Sequence, residues 1–321
     1  VAVLFVASFM IGHYPVTPRQ VFAILLSTIF DTARDWPAPM EVVVLSVRLP
    51  RIVAALLVGA ALAVAGAAYQ TMFRNPLASP AILGVSAGAG FGAALALLLQ
   101  LSATMVQAAA FAFGLLAVGI AVFVARRLGD ASPIVLILAG MVVAAVFQAL
   151  IAGLKYVADP TDALPAITFW LLGSLAKVSA DQIAVAAIPA AVAFVALYVL
   201  RWPINVAVMG EDEARALGVD LARLRVVLIG AATLLTAAAV SVAGIVGWVG
   251  LLVPHMARMV VGANFQALLP ASALMGAGFL LLVDDACRGA TSGEVPLGIV
   301  TALIGAPVFL GLLTKVRRGW F

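Results

Sequence analysis

The sequence predicts an all-α, polytopic membrane protein of about ten transmembrane helices, on three observations. Of its 321 residues, 65% are hydrophobic and only 10% are charged, against about 45–50% apolar and about 25% charged in soluble domains. Uncharged stretches run for lengths that match a bilayer crossing, which takes about 20 mostly apolar residues. These runs are unbroken, whereas a membrane β-barrel shows short segments of alternating hydrophobicity. An ordinary soluble enzyme, a disordered chain and a nucleic-acid binder are excluded on the same grounds: 18 basic against 14 acidic residues leave a net charge of only +4. The single cysteine, Cys287, excludes an internal disulfide framework and a cysteine-rich metal site.

The spans follow in order. The apolar run 1–12 is short and is read as the remainder of a first span, with a signal-peptide core as the alternative. The second is 52–73. The stretch 75–125 is too long for one crossing; it breaks near Gln100 and Ser102 into 81–100 and 103–125. Then come 133–156 and 182–200. The region 226–283 carries one charge, Arg258, and breaks at Gly244–Gly247 and at Gly262 to Asn264, giving 226–245, 246–264 and 267–284. Pro296 starts the last span, 296–314, and Pro307 is expected to kink it. Glycines at 59, 66, 84, 88, 90 and 92 suit close backbone approach, the main association force between helices in lipid.

Orientation follows from lysine and arginine bias. An even number of spans puts both termini on one side. The loops there carry eleven of the 18 basic residues: Arg74, Arg126, Arg127, Arg201, Arg215, Arg223, Arg225, Arg258, Lys315, Arg317 and Arg318. That side, with both termini, is expected to be cytoplasmic. No ionisable group lies near the centre of a span, which argues against a proton-coupled carrier and a charged channel filter. No G-x-x-x-x-G-K-[S/T] loop is present, so uphill transport would need energy from another chain. H-E-x-x-H and G-x-S-x-G patterns are missing too, which leaves hydrolase readings without support.

Four loop segments carry information. Arg48-Leu-Pro-Arg51 places two arginines around a helix-starting proline, as interfacial anchors or as receivers of a partner's acids. Arg74 to Gly90, with Pro76, Pro80 and dense glycines, makes a tight re-entry into the third span. Gly210 to Asp220 is the one clearly polar cytoplasmic element: Glu211, Asp212 and Glu213 complement a helix N-terminus, Ala214 and Leu217 share an apolar face, Gly218 stops the helix, and Asp220 caps the next one at Leu221. It reads as a solvated connector or as a docking knob for a motor. Asp284 to Phe309 places three acids, Asp284, Asp285 and Glu294, and Arg288 at the outer face.

Together these segments resemble the permease subunit of the iron–siderophore, haem and vitamin B12 class of ABC importers (FecCD-like, type II). The motifs are R-L-P-R at 48–51, R-N-P-L-A-x-P at 74–80, G-V-S-x-G-A at 84–89, G-E-x-x-A-x-x-L-G at 210–218, V-P-H-x-A-R at 253–258 and E-x-P-x-G-x-x-T-A-x-x-G-A-P-x-F at 294–309. The resemblance implies one transmembrane permease domain over 1–321 with the type II importer permease fold. It implies a homodimer above two cytoplasmic ATPase subunits, which hold the ATP and magnesium, and a soluble binding protein docked outside. No cofactor, metal site or catalytic residue is expected on this chain. Gly210, Glu211, Asp212, Glu213, Ala214, Arg215, Leu217 and Gly218 match the coupling element. Arg48, Arg51 and Arg288 match positions that receive the binding protein's acids. Met141, Gln148 and Thr301 are the expected pathway-lining residues.

A pathway free of fixed charge suits a bulky chelate whose metal is already caged. The expected cargo is a siderophore–iron or haem complex crossing a bacterial or archaeal inner membrane; cobalamin or an oxyanion such as molybdate is the alternative on the same fold. A secondary carrier or channel, active without ATP, is the alternative of another class. His13 is expected at an interface, His255 to be structural, and Met105 to be packing. The external stretch 14–47 is expected to be partly helical, and Tyr156 to Ala180 to hold a short helix near the pore mouth.

Overall fold

The computed structural model describes residues 1–12, 14–28, 30, 34–128, 133–289 and 294–316. His13, Asp31, Asp130, 291–293, Arg317 and Arg318 lie outside them. The described residues form helices joined by loops, with no strand among them, and each of the ten expected spans falls on a helix. These are α1 (Ala2–Ser8), then, after α2 (Pro18–Ser27) and α3 (Ala38–Val42), α4 (Leu49–Met72), α5 (Val85–Leu98), α6 (Ala103–Arg127) and α7 (Pro133–Val157). Past α8 (Ala163–Leu172) come α9 (Ala180–Val199), and, beyond α10 (Arg201–Met209) and α11 (Glu211–Ala216), α12 (Leu221–Ala243), α13 (Val249–Val261), α14 (Phe265–Gly289) and α15 (Leu297–Val316). Six of these segments are long and apolar enough to cross a membrane; α5, α8, α13 and α15 are shorter apolar helices.

Local chemistry sets the boundaries. Thr17 and Gln20 form a capping box in front of α2, and Ser179 and Gln182 do the same for α9. In each, a side-chain oxygen takes a free N–H of the first turn. The outer stretch 14–47 is thus partly helical, as expected. The second span begins earlier than its expected start at residue 52, because α3 runs through a π-helical turn, Val43–Arg48, straight into α4. Pro50 has no N–H to give and its ring crowds the turn before it; the widened turn sits immediately upstream. α5 starts late because a 3-10 turn, Pro80–Leu83, and left-handed Gly84 (φ 85°) occupy the first residues of the expected span. α13 is cut to 13 residues by the non-helical segment 244–248.

α4 is the axis of the bundle: 18 of its 24 residues are buried, against 8 of 25 in α6. It achieves this by close approach. A Cβ on Gly59 would lie 2.2 Å from the Gly276 carbonyl oxygen on α14, and one on Gly276 would lie 2.3 Å from that of Gly59. Any side chain at either position drives the two backbones apart. The expectation that Gly59 serves packing is met at this contact.

Candidate functional site

The bundle has two functional ends, named here for the helices that mark them. At the α8 end, Arg48 and Arg51 from the start of α4 meet Asp284, Asp285 and Arg288 from the last turns of α14. Arg51 donates from Nε to Asp284 at 3.0 Å and from Nη1 to Glu294 Oε1 at 2.5 Å. Arg288 lies 3.3 Å from Asp284 and hydrogen-bonds Asp285, which also accepts from Ser8 Oγ at 2.6 Å. Arg48 donates to the carbonyls of Phe9 at 2.5 Å and Tyr14 at 2.6 Å. The three acids neutralise Arg51 and Arg288, carbonyls hold Arg48, and with Ser8 these contacts tie α1 to α4 and α14.

Arg48, Arg51 and Arg288 are the arginines that the resemblance matched to positions receiving a partner's acids. Each is no more than 7% exposed. Desolvating a guanidinium costs several kcal/mol, so these groups stay buried only because acids and carbonyls of the same chain surround them. Glu294, with 45% of its side chain exposed, is the one member that reaches the surface. Asp284, Asp285, Glu294 and Ser8 were not recognised as partners from sequence. The available signal was the spacing of Asp284 and Asp285 to Arg288, which puts all three on one helix face.

Beside this network lies a cavity of about 620 Å³, lined by Gln107, Phe169, Trp170, Lys177, Ser241 and Glu294 among others. Its floor is a junction of helix breaks. Ser174 N donates to Ala243 O at 2.9 Å, and Leu297 N donates to Gly173 O at 2.9 Å. Irregular backbone at membrane depth is tolerated only where protein or a cavity satisfies it, and here the three breaks satisfy each other. The short helix expected in Tyr156–Ala180 is α8, which walls this cavity.

At the opposite end, α11 is a single acidic element between α10 and α12. Ala214 is fully buried while Leu217 is 53% exposed, so the pair does not share one buried face. Gly218 ends the element in the left-handed region (φ 77°), where a side chain is strained. Asp220 caps α12 by accepting from Arg223 N at 3.1 Å. Glu211 accepts from Arg225 Nη2 at 2.6 Å and pairs with Arg215 at 3.5 Å. The hydrogen bond from Arg225 holds the Glu211 carboxyl below the usual glutamate range, with Arg215 and Arg74 adding to it. Asp212, Glu213 and Arg215 are exposed, and Gly210 is half-buried. Arg74 braces the element from the other side by donating to Ala207 O on α10 at 2.8 Å. Arg225 and Arg74 were missed as parts of this site: Arg225 belongs to the helix that follows it, and Arg74 lies far from it in sequence.

Of the expected pathway residues, Met141 is 58% exposed on α7 and Gln148 is exposed two turns further along the same helix. Thr301 is fully buried, with its hydroxyl turned back to Gly298 O at 3.2 Å; it lines no open path within one chain. His255 is 7% exposed on α13, a packed position that agrees with a structural role. Met105 is 53% exposed at the α8 end.

A bundle of this order, with an acidic element at one end and a neutralised charge network at the other, is the architecture of an ABC importer permease. The chain belongs to the FecCD transport family, whose profile matches residues 1–315. It is 39% identical over 314 residues to the molybdate import system permease protein MolB of Haemophilus influenzae, covering 98% of this chain and 93% of that protein. It is 36% identical to the hemin transport system permease protein HmuU of Yersinia pestis, over 85% of this chain and 84% of the relative. A solved metal-chelate type ABC transporter in an inward-facing conformation superimposes with a TM-score of 0.86 at 37% identity, covering 98% of this chain and 96% of that one. Members of this class are permease subunits whose ATPase activity resides in a separate subunit.

Proposed function

We propose that this chain acts as one transmembrane permease domain, paired as a homodimer, that imports an iron chelate, a siderophore complex or haem, across the inner membrane. Two ATPase subunits, holding ATP and magnesium, sit at the α11 end; a soluble binding protein docks at the α8 end. Both termini lie on the ATPase side, which is cytoplasmic. The observation that carries the reading is α11: a rigidly braced acidic helix with Leu217 left exposed beside it, which gives a motor a defined knob to grip. Arg48, Arg51 and Arg288 shape the docking face from beneath instead of meeting the partner themselves. The exposed face of α7, with Met141 and Gln148 and its one charge, Lys155, confined to the last turn, suits a bulky caged metal that binds weakly and leaves again.

The test is uptake into vesicles that hold the chain with its ATPase. Ferric siderophore or haem is expected to enter only with ATP, and Leu217→Asp is expected to lower coupled uptake at least about tenfold, since it buries a charge in an interface. Uptake without an ATPase would overturn the importer mechanism. A second reading, an oxyanion cargo, is supported by the likeness to MolB over nearly the whole chain; molybdate uptake in the same vesicles with no entry of chelate would select it.

A further inference from the structure

We propose that the α11 end of the bundle holds the headgroup of an anionic phospholipid, in a cleft between the ends of α4 and α6 and the starts of α7 and α12. The cleft is a cavity of about 200 Å³ walled by Met72, Phe73, Val122, Leu136, Val226 and Ile229, and its charged lining groups are Arg126 and Arg225. A second cavity of about 270 Å³ shares Met72, Phe73 and Arg225 and adds Arg74 and Glu211. Across the two, three arginines face one acid.

The chemistry of the walls selects the occupant. Arg126 is exposed and has no ion-pair partner among the described residues. Arg225 gives Nη2 to Glu211, and 39% of its side chain is still exposed. Two guanidiniums therefore border an otherwise apolar cleft at the end of the spans, where hydrocarbon gives way to headgroups. A free anion has no use for the apolar walls, and a neutral lipid has none for the arginines. A phospholipid that carries both a net negative headgroup and acyl chains satisfies each, which is the pattern of basic pockets between helices at the cytoplasmic face. The chains have a track: Leu116, Ile120, Phe123 and Val124 form an exposed apolar stripe along α6 that ends beside Arg126. Arg127 lies over the Phe123 ring at 5.2 Å, so it is held at the same level. A headgroup on Arg225 competes with Glu211 for that guanidinium, which links lipid occupancy to the seat of α11.

The test uses the purified full chain in nonionic detergent, titrated separately with phosphatidylglycerol, phosphatidylcholine and inorganic phosphate. Binding is read by native mass spectrometry and by the thermal unfolding midpoint. Phosphatidylglycerol is expected to bind and raise the midpoint, while the other two leave it unchanged. Arg126→Gln is expected to weaken phosphatidylglycerol roughly fivefold, the loss of one basic group at a membrane surface. Val226→Trp, at a position 50% exposed, is expected to fill the cleft and exclude the lipid while melting as the parent does without lipid. Equal binding of phosphatidylcholine, the same shift with inorganic phosphate alone, or undiminished phosphatidylglycerol binding by both variants would each overturn the proposal.

Discussion

Asp284 takes a hydrogen bond from Arg51 at 3.0 Å and an ion pair from Arg288 at 3.3 Å, with no exposure to solvent. Removing it takes a buried acid from two guanidiniums, leaving Arg51 with Glu294 and Arg288 with Asp285; losing one partner of a buried pair costs about 3–5 kcal/mol. Asp284→Ala is therefore expected to lower the thermal unfolding midpoint sharply in detergent, whereas Glu294→Gln, at the half-exposed edge of the same network, is expected to cost no more than about 1 kcal/mol. Equal effects of the two would show that burial does not govern the network. Glu211 gives a second test. Its carboxyl is held below the usual glutamate range by Arg225, so the stability it contributes is fully present at neutral pH and is lost only as pH falls through that depressed value. The midpoint gap between the parent and Glu211→Gln should stay constant from neutral into mildly acidic pH and close only below the ordinary range. Sequence alone placed these charges at span ends correctly but not their burial. Arg51 and Asp284 lie 233 positions apart, and no local pattern announces a partner at that distance.

Elements were more legible, because what starts and stops a helix is local. The capping of α12 by Asp220, the end of α11 at Gly218 and the break before α13 could each be read from a few adjacent residues. What the apolar pattern did not supply was the backward extension of the second span through the π-helical turn ahead of Pro50, or the late start of α5 behind the 3-10 turn Pro80–Leu83 and Gly84. Glycine packing sits between the two cases. The sequence offered six candidate glycines, and the structure uses Gly59 for a backbone contact in which an added Cβ would sit 2.2 Å from a carbonyl oxygen. Gly59→Val must separate α4 from α14. Overpacking of this kind costs about 1–3 kcal/mol or more, and here it also loosens the network that joins the same two helices. The expected result is a lower unfolding midpoint for Gly59→Val and little change for Gly230→Val, whose added Cβ meets nothing within 4 Å. Matching losses would mean that helix propensity, not close approach, explains the effect.

At the scale of the whole molecule, composition and the set of six motifs were enough for the class, and among the described residues six segments are long and apolar enough to cross a membrane, with four shorter apolar helices beside them. The translocation path is harder to read, because an exposed apolar face on one chain meets lipid, a second copy or water, and all three accept the same residues. Met141, 58% exposed on α7, separates these cases. The only cysteine, Cys287, is 1% exposed, so Met141→Cys supplies a single accessible thiol. Only the thiolate reacts with maleimides, and a thiol facing hydrocarbon neither ionises nor meets a charged reagent. If α7 lines a water-filled path between two copies, Met141→Cys in the assembled transporter will react with a membrane-impermeant maleimide, at a rate that changes between the nucleotide-free and ATP-bound states. Leu303→Cys, 71% exposed on α15, then asks whether the last span faces the same water. A Met141→Cys thiol inert in every nucleotide state would place α7 against lipid and move the path elsewhere in the bundle.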